Sequence, residues 1–166
     1  MLNIHFFCVG GTIDKIYFDA SSKYEVGSPA VKALLADLPT NIDATVTSVM
    51  AKDSLEMTDD DRVDLLEAVS AAPQKLIVIT HGTDTMPMTA EYLKANGGDK
   101  LADKVIVMTG ALAPAIFKDS DAEFNLGSAV AASQCLDPGV YIAMNGEVFV
   151  AGKVYKDLKK SRFVAK

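Results

Sequence analysis

Thr83 and Asp84 stand in the stretch Thr80-His81-Gly82-Thr83-Asp84-Thr85-Met86, directly after the apolar run Lys75–Thr80 and before Met88–Ala95. The run reads as a buried parallel strand and the segment after the motif as a helix. A hydroxyl, a carboxylate and free helix N–H groups therefore meet where a strand ends, and open α/β sheets bind ligands at that end of their strands. A second hydroxyl, Thr12, follows Gly10-Gly11 at the end of another apolar run, Ile4–Val9. A third polar segment, Asp53-Ser54, follows the β-branched run Ala44–Met50. Parallel pairing of the three runs would gather all three segments at one edge of a sheet, equipped to hold a small polar molecule and attack it.

A threonine hydroxyl attacks well only when a neighbour takes its proton. Histidine is the usual base, but His81 has only His5 for company and no Ser-His-Asp order around it, so a backbone-orienting role suits it better. The remaining bases are a lysine or a tyrosine, and local pattern does not locate the lysine. Each residue also has a plainer reading. Thr12 could end a strand, Thr83 could cap a helix, and Asp84 could complement a helix dipole. Ser54 could be a surface residue of a polar loop, and Tyr24 a half-buried loop anchor. No Cys–His spacing suggests a metal site. Gly10-Gly11-Thr12 is neither a Walker loop nor a G-x-G-x-x-G fingerprint.

The elements that must position these residues follow from periodicity. Asp14 to Tyr24 reads as a polar loop. Ser28-Pro29 opens a helix with Val31, Leu34, Leu35 and Leu38 on its core-facing stripe. Thr58 caps a second helix with Asp59, Asp60 and Asp61 in its first turn and Val63, Leu65, Leu66 and Val69 on its buried face. Lys104–Thr109 is the fourth strand. Ser120 and Glu123 have capping-box spacing, opening a helix packed through Phe124, Leu126, Val130 and Ala131. Val140–Met144 is the fifth strand, Val148–Val150 adds a short hairpin strand after Asn145-Gly146, and Lys153–Lys166 is a tail without a period. Five β-α repeats with continuous apolar strands predict an α/β fold: one domain over residues 1–166, a doubly wound, mostly parallel three-layer sheet of the Rossmann or flavodoxin kind.

Composition narrows the classes. The chain has 166 residues, 49% apolar, with a net charge of −6. That suits a globular domain with a real core, and excess acid disfavours nucleic acid. Lys159-Lys160-Ser161-Arg162 is the one concentrated basic patch and reads as solvated tail. No segment has the length and apolarity of a membrane span, and Met1–Val9 lacks the basic start of a signal peptide. The two cysteines, Cys8 and Cys135, fall in predicted buried elements and read as reduced core residues of a cytoplasmic protein.

Gly10-Gly11-Thr12-Ile13 and His81-Gly82-Thr83-Asp84-Thr85-Met86 together resemble the two signatures of the bacterial-type L-asparaginase/glutaminase family. Further segments match in register: Lys23–Gly27, Asp53-Ser54 with Met57, Met108–Ala111, Phe124-Asn125-Leu126, and Met144-Asn145 through Gly152 to Lys156. The resemblance covers almost the whole chain, but only the family's N-terminal domain. It implies hydrolysis of the L-asparagine side-chain amide to L-aspartate and ammonia, with no metal or organic cofactor. It makes Thr12 the primary nucleophile and Tyr24 its activating partner on a lid. Thr83, Asp84 and Lys156 become a second triad. Ser54 and Asp84 hold the substrate's α-carboxylate and α-ammonium, beside Asp53, Leu55 and Gly82. Backbone groups of Gly11, Thr12 and Thr83 receive the oxyanion, and the Ala111 carbonyl the amide nitrogen.

The chain departs from the family pattern at Val9, where threonine is usual, at Leu55, which replaces a polar residue, and at Ala113, which replaces arginine. It stops where the family's smaller C-terminal domain would begin, a domain that in longer members supplies an acidic residue from a neighbouring subunit. The expectation is a compact, homo-oligomeric asparaginase. The alternatives are a non-catalytic aspartate- or asparagine-binding module and an amidase of broader, glutamine-directed or amidotransferase-subunit specificity.

Overall fold

The computed structural model describes residues 1–36 and 38–166. Five parallel strands form the body of a six-stranded sheet: β1 (Leu2–Gly10), β4 (Ile42–Lys52), β5 (Leu76–Thr80), β6 (Val105–Thr109) and β7 (Gly139–Met144). A short antiparallel strand, β8 (Glu147–Val150), closes one edge, giving the order β4-β1-β5-β6-β7-β8. Counting parallel strands alone, this is the 2-1-3-4-5 order of flavodoxin-like sheets, whose direction of winding reverses between β1 and β5.

Both faces of the sheet are covered, which explains the unbroken apolar runs. In β1, Phe7 and Val9 join one core with Leu65 and Val69 of α2 (Asp59–Ala71) and Met86, Ala90 and Leu93 of α3 (Met86–Asn96). The alternate residues Ile4, Phe6 and Cys8 enter the opposite core with Val31 of α1 (Ala30–Ala36) and Leu126 and Ala129 of α4 (Ala122–Cys135). The period-two alternation of a strand thus supplies two cores at once.

Helix α2 starts as its sequence predicts. The Thr58 hydroxyl accepts from Asp61 N at 3.2 Å, and the Asp61 carboxylate accepts from Thr58 N at 2.8 Å. Lys52 Nζ, at the end of β4, donates to the same carboxylate at 2.7 Å and is the main reason it is held below the usual carboxylate range.

Several expectations fail for local reasons. The loop predicted over Asp14–Tyr24 contains an antiparallel hairpin, β2 (Lys15–Phe18) with β3 (Lys23–Val26). The supposed tail forms a second hairpin, β9 (Val154–Asp157) with β10 (Arg162–Ala165), anchored by Val154 and Phe163 in the core. Leu38 falls beyond α1 and is exposed, as is Val63 on α2, whose inward face carries Arg62 instead. On α4, Phe124 and Ala131 point to solvent, and Asn125, Ala129 and Ser133 take the inward stripe. The Ser120/Glu123 capping box does not form. The Ser120 hydroxyl accepts from Ala122 N and donates to Ala113 O, while Glu123 stays exposed. Cys8 is buried as expected, but Cys135, at the last turn of α4, is exposed, and both are free thiols. Among the described residues, no helix is long and apolar enough to cross a membrane.

Candidate functional site

The loops that carry Gly10–Thr12 and His81–Asp84 meet at the switch point between β1 and β5. At the end of β1 the pairing with β4 shifts register, so that Gly10 stands opposite Lys52. Gly10 has φ 113°, and a Cβ there would lie 2.5 Å from Lys52 O. Gly11 follows with φ 85°, and a Cβ on it would lie 2.4 Å from the Cα of Gly82. Only glycine permits this conformation and this approach. The two loops touch at their glycines, each of which directly precedes a threonine, Thr12 in one and Thr83 in the other, at the same edge of the sheet. Gly11 N donates to Lys52 O at 2.9 Å, so its N–H is engaged within the fold. The expected place of the Gly11 backbone at an oxyanion site therefore has no free N–H behind it.

Ser54 enters from β4. It is 1% exposed, against its reading as a surface residue, because Gly82 lacks the side chain that would exclude it: a Cβ on Gly82 would meet Ser54 Cβ at 2.6 Å. Thr85 N donates to Ser54 Oγ at 3.3 Å, and Thr85 Oγ1 donates to Ser54 O at 2.8 Å. The hydroxyl of Thr85, the residue before α3, thus ties two loops together rather than capping the helix. Asp53 accepts from Lys15 Nζ at 2.9 Å and from Leu55 N at 3.2 Å. Burial pushes this carboxyl up, but the Lys15 ammonium, the Leu55 N–H and the more distant Lys156 outweigh it and hold it below the usual range. Leu55 itself is 72% exposed.

Thr83 is buried, and its hydroxyl is not a helix cap. Lys156 Nζ, carried on the β9–β10 hairpin, donates to Thr83 Oγ1 at 2.7 Å and to Asp84 Oδ1 at 2.6 Å. The lysine side chain is 12% exposed and the aspartate 36%. A partly exposed pair of this kind adds little to stability, about 0–1 kcal/mol.

His81 is fully buried. Its Nδ1 bonds Gly82 O at 2.7 Å, fixing the peptide ahead of Thr83. Burial pulls the imidazole down to about 4, so it is neutral near pH 7. That is the backbone-orienting role expected of it.

Thr12 is half-buried in a short 3-10 turn, Thr12–Asp14, and its hydroxyl makes no hydrogen bond among the described residues. Tyr24, on β3, does not reach it. The ring is 49% exposed and packs edge-on against Tyr17 at 5.5 Å and Phe117 at 5.6 Å. With Lys15, Asp53 and Glu56 it lines a cleft of about 350 Å³ between the hairpin and the Asp53 loop. Ala111 is buried against Ile13 and Ala122, and Ala115 N donates to Ile13 O at 3.1 Å, which binds its loop to the Thr12 turn. The structure thus unites Thr83, Asp84 and Lys156 by direct bonds. Gly11 and Ser54 lie against Gly82, the residue before Thr83, while Ala111 packs with Ile13 beside the Thr12 turn and Tyr24 stands apart. Sequence reasoning assigned no role to Thr85 or Lys15, whose bonds to Ser54 and Asp53 span loops distant in sequence.

An open sheet of this winding, with a polar site at its switch point, is the architecture of an α/β small-molecule-binding domain. The chain belongs to the asparaginase family: the model of the asparaginase N-terminal domain matches residues 3–163. It is 32% identical over 168 residues to a glutaminase-asparaginase of Acinetobacter glutaminasificans, covering 94% of this chain and 50% of that protein. It is 34% identical to L-asparaginase 2 of Escherichia coli, covering 93% of this chain and 46% of the relative. The chain spans about half the length of the curated relatives it matches. Among solved structures, L-asparaginase I from Vibrio cholerae superposes with a TM-score of 0.84 at 25% identity, over 99% of this chain and 51% of its own. The L-asparaginase from Thermococcus kodakarensis gives 0.85 at 24% identity over the same shares, a likeness of fold.

Proposed function

We propose that this domain hydrolyses the side-chain amide of L-asparagine to L-aspartate and ammonia. The observation that carries the reading is the contact of Lys156 Nζ with both Thr83 Oγ1 and Asp84 Oδ1. Such a lysine can polarise a hydroxyl and take up or return its proton, which an unaided threonine needs. In this reading Thr12 Oγ attacks the amide carbon. The C–N bond breaks, and the threonine proton leaves with the nitrogen as ammonia. Water then attacks the resulting ester, assisted by Thr83 and Lys156, releasing aspartate and restoring Thr12. The Thr12 and Thr83 N–H groups receive the oxyanion, where fixed donors contribute most. Asp84, whose second oxygen is not engaged by Lys156, takes the α-ammonium, and the Ser54 hydroxyl the α-carboxylate. The Ala111 carbonyl accepts from the amide nitrogen.

Side chains such as Ile116, Phe117 and Phe124, 42–62% exposed, support self-association of the domain. The two free thiols support a reducing, cytoplasmic setting. Light scattering that gives a monomer mass at every concentration would count against the assembly.

One observation favours a second reading. Because Tyr24 makes no bond to Thr12, the domain could hold aspartate or asparagine without turning it over. NMR with amide-15N asparagine, and with glutamine in parallel, separates the cases. Labelled ammonium with equimolar aspartate supports hydrolysis. Perturbed protein resonances without ammonium support the binding module, and equal rates on glutamine support a broader amidase.

A further inference from the structure

Lys156 sits on a two-stranded hairpin outside the main sheet, and isolated hairpins of this size hold their own geometry poorly. A chain of side-chain hydrogen bonds, from buried Asn125 to half-buried Asn145, reaches it. Asn125, on α4 and 1% exposed, donates from Nδ2 to Gly110 O at 3.0 Å and to Asp121 Oδ2 at 2.8 Å. Asp121 in turn accepts from Leu112 N and Ala113 N at 2.9 and 3.1 Å, so the two side chains clamp the loop that carries Ala111. On its other side Asn125 Oδ1 accepts from Asn145 N at 3.3 Å. Asn145 Oδ1 then accepts from Phe163 N at 2.8 Å. Phe163 is the direct cross-strand partner of Lys156.

Asn145 is fitted to this task by its turn. It opens the tight Asn145-Gly146 connection from β7 to β8 with φ 56°, followed by Gly146 at 82°. That left-handed pair is the one two-residue hairpins favour, and asparagine tolerates it better than other side chains. Its side-chain oxygen is left to meet the hairpin strand opposite Lys156.

We infer that Asn145, backed by Asn125, is a positioning residue that registers the Lys156 hairpin against the Ala111 loop, so that the lysine reaches Thr83 and the substrate amide is met from both sides. The inference rests on the hydrolytic reading above, and its test separates the two. Asn145→Gly keeps the turn, since glycine accepts φ 56°, and removes only the acceptor for Phe163 N. Asn145→Asp keeps that acceptor. For Asn145→Gly, kcat on asparagine is expected to fall about ten- to a hundredfold, as misplacement by an ångström does. KM should move less than about threefold, because Ser54 and Asp84 stand on other loops. Asn145→Asp should restore most of kcat. Amide hydrogen exchange over residues 153–166 should rise in the glycine variant and not over β5 and β6. A wild-type kcat in Asn145→Gly, a loss that Asn145→Asp fails to restore, or unchanged hairpin exchange would overturn the assignment. Absence of turnover in the wild type would defeat the hydrolytic reading, and the exchange measurement would still decide whether Asn145 holds the hairpin.

Discussion

Lys156 Nζ lies 2.7 Å from Thr83 Oγ1, although 73 residues separate them in sequence. The lysine reaches the hydroxyl because the β9–β10 hairpin folds back over the carboxyl end of β5, and Asp84 holds the same ammonium from the side. Lys156→Met and Thr83→Val, each near its parent in volume, are predicted to lower kcat by two or more orders of magnitude, the usual scale for groups that act as a unit. Combining them should cost little more than either alone. Steady-state ammonia assays on the two variants and the double variant check this, and fully additive losses would show that the groups do not act together.

The Thr12 hydroxyl makes no hydrogen bond among the described residues; its carbonyl, which accepts from Lys15 N, and the close approach at Gly11 are backbone features that substitution of the side chain leaves in place. Thr12→Ala is therefore predicted to leave thermal unfolding within a degree or two and aspartate affinity within a few-fold, while turnover disappears. Calorimetric titration with aspartate beside a melting curve tests the first half. A large loss of affinity would make Thr12 chiefly a binding residue.

Asp14, two residues further on, is 2% exposed and accepts from Ala30 N at 2.8 Å. Burial pushes its carboxyl up to about 6 against an ordinary 3.8, and the Ala30 N–H pulls the other way. The folded chain therefore binds more protons at this site than the unfolded one between about pH 4 and 6. Its contribution to stability declines as pH rises through that window and levels above it. His81, lowered from 6.5 to about 4 by burial, works in the opposite sense, its contribution being lost as pH falls through the same range. The difference between variant and parent isolates Asp14. Asp14→Asn keeps the acceptor and cannot ionise, so its advantage should grow from pH 4 to 6 to on the order of 1–3 kcal/mol and then stay constant. Urea unfolding at pH 4.5, 5.5, 7 and 8 reads this directly. A difference independent of pH would mean that the carboxyl is not perturbed in the fold.

The capping box at Thr58, which closes the Ser54 loop, offers a prediction about stability. Thr58→Ala removes the acceptor for Asp61 N and is predicted to cost about 1 kcal/mol of unfolding free energy. Activity should be unchanged. Denaturant midpoints at constant m-value measure it, and a cost near zero would show that the Lys52–Asp61 pair alone secures the start of α2.

The central strands β5 and β6 were legible because both faces are buried, so each is an unbroken run of large apolar residues, while the edge strand β4 was legible only from its β-branched residues. The α2 cap was legible because its partners are three residues apart. What escaped the sequence is what local pattern does not record. Both missed hairpins turn through a serine with positive φ, Ser22 at 54° and Ser161 at 48°, where glycine or asparagine would have signalled a turn. Ser54 is buried by the bare face of Gly82, a contact between loops 28 residues apart in sequence. Thr12, Thr83 and Asp84 could be picked out from strand-end chemistry. Lys156 was reached only through the family resemblance, since nothing in Val154–Asp157 distinguishes it from the exposed lysines after it.

The most direct test of the account is ammonia release from asparagine by the purified domain, with Thr12→Ala and Lys156→Met of verified fold in parallel. The account predicts steady release with one aspartate formed per ammonia, abolished by either substitution. Release that persists unchanged in both variants, or no release from a well-folded parent chain, would contradict it.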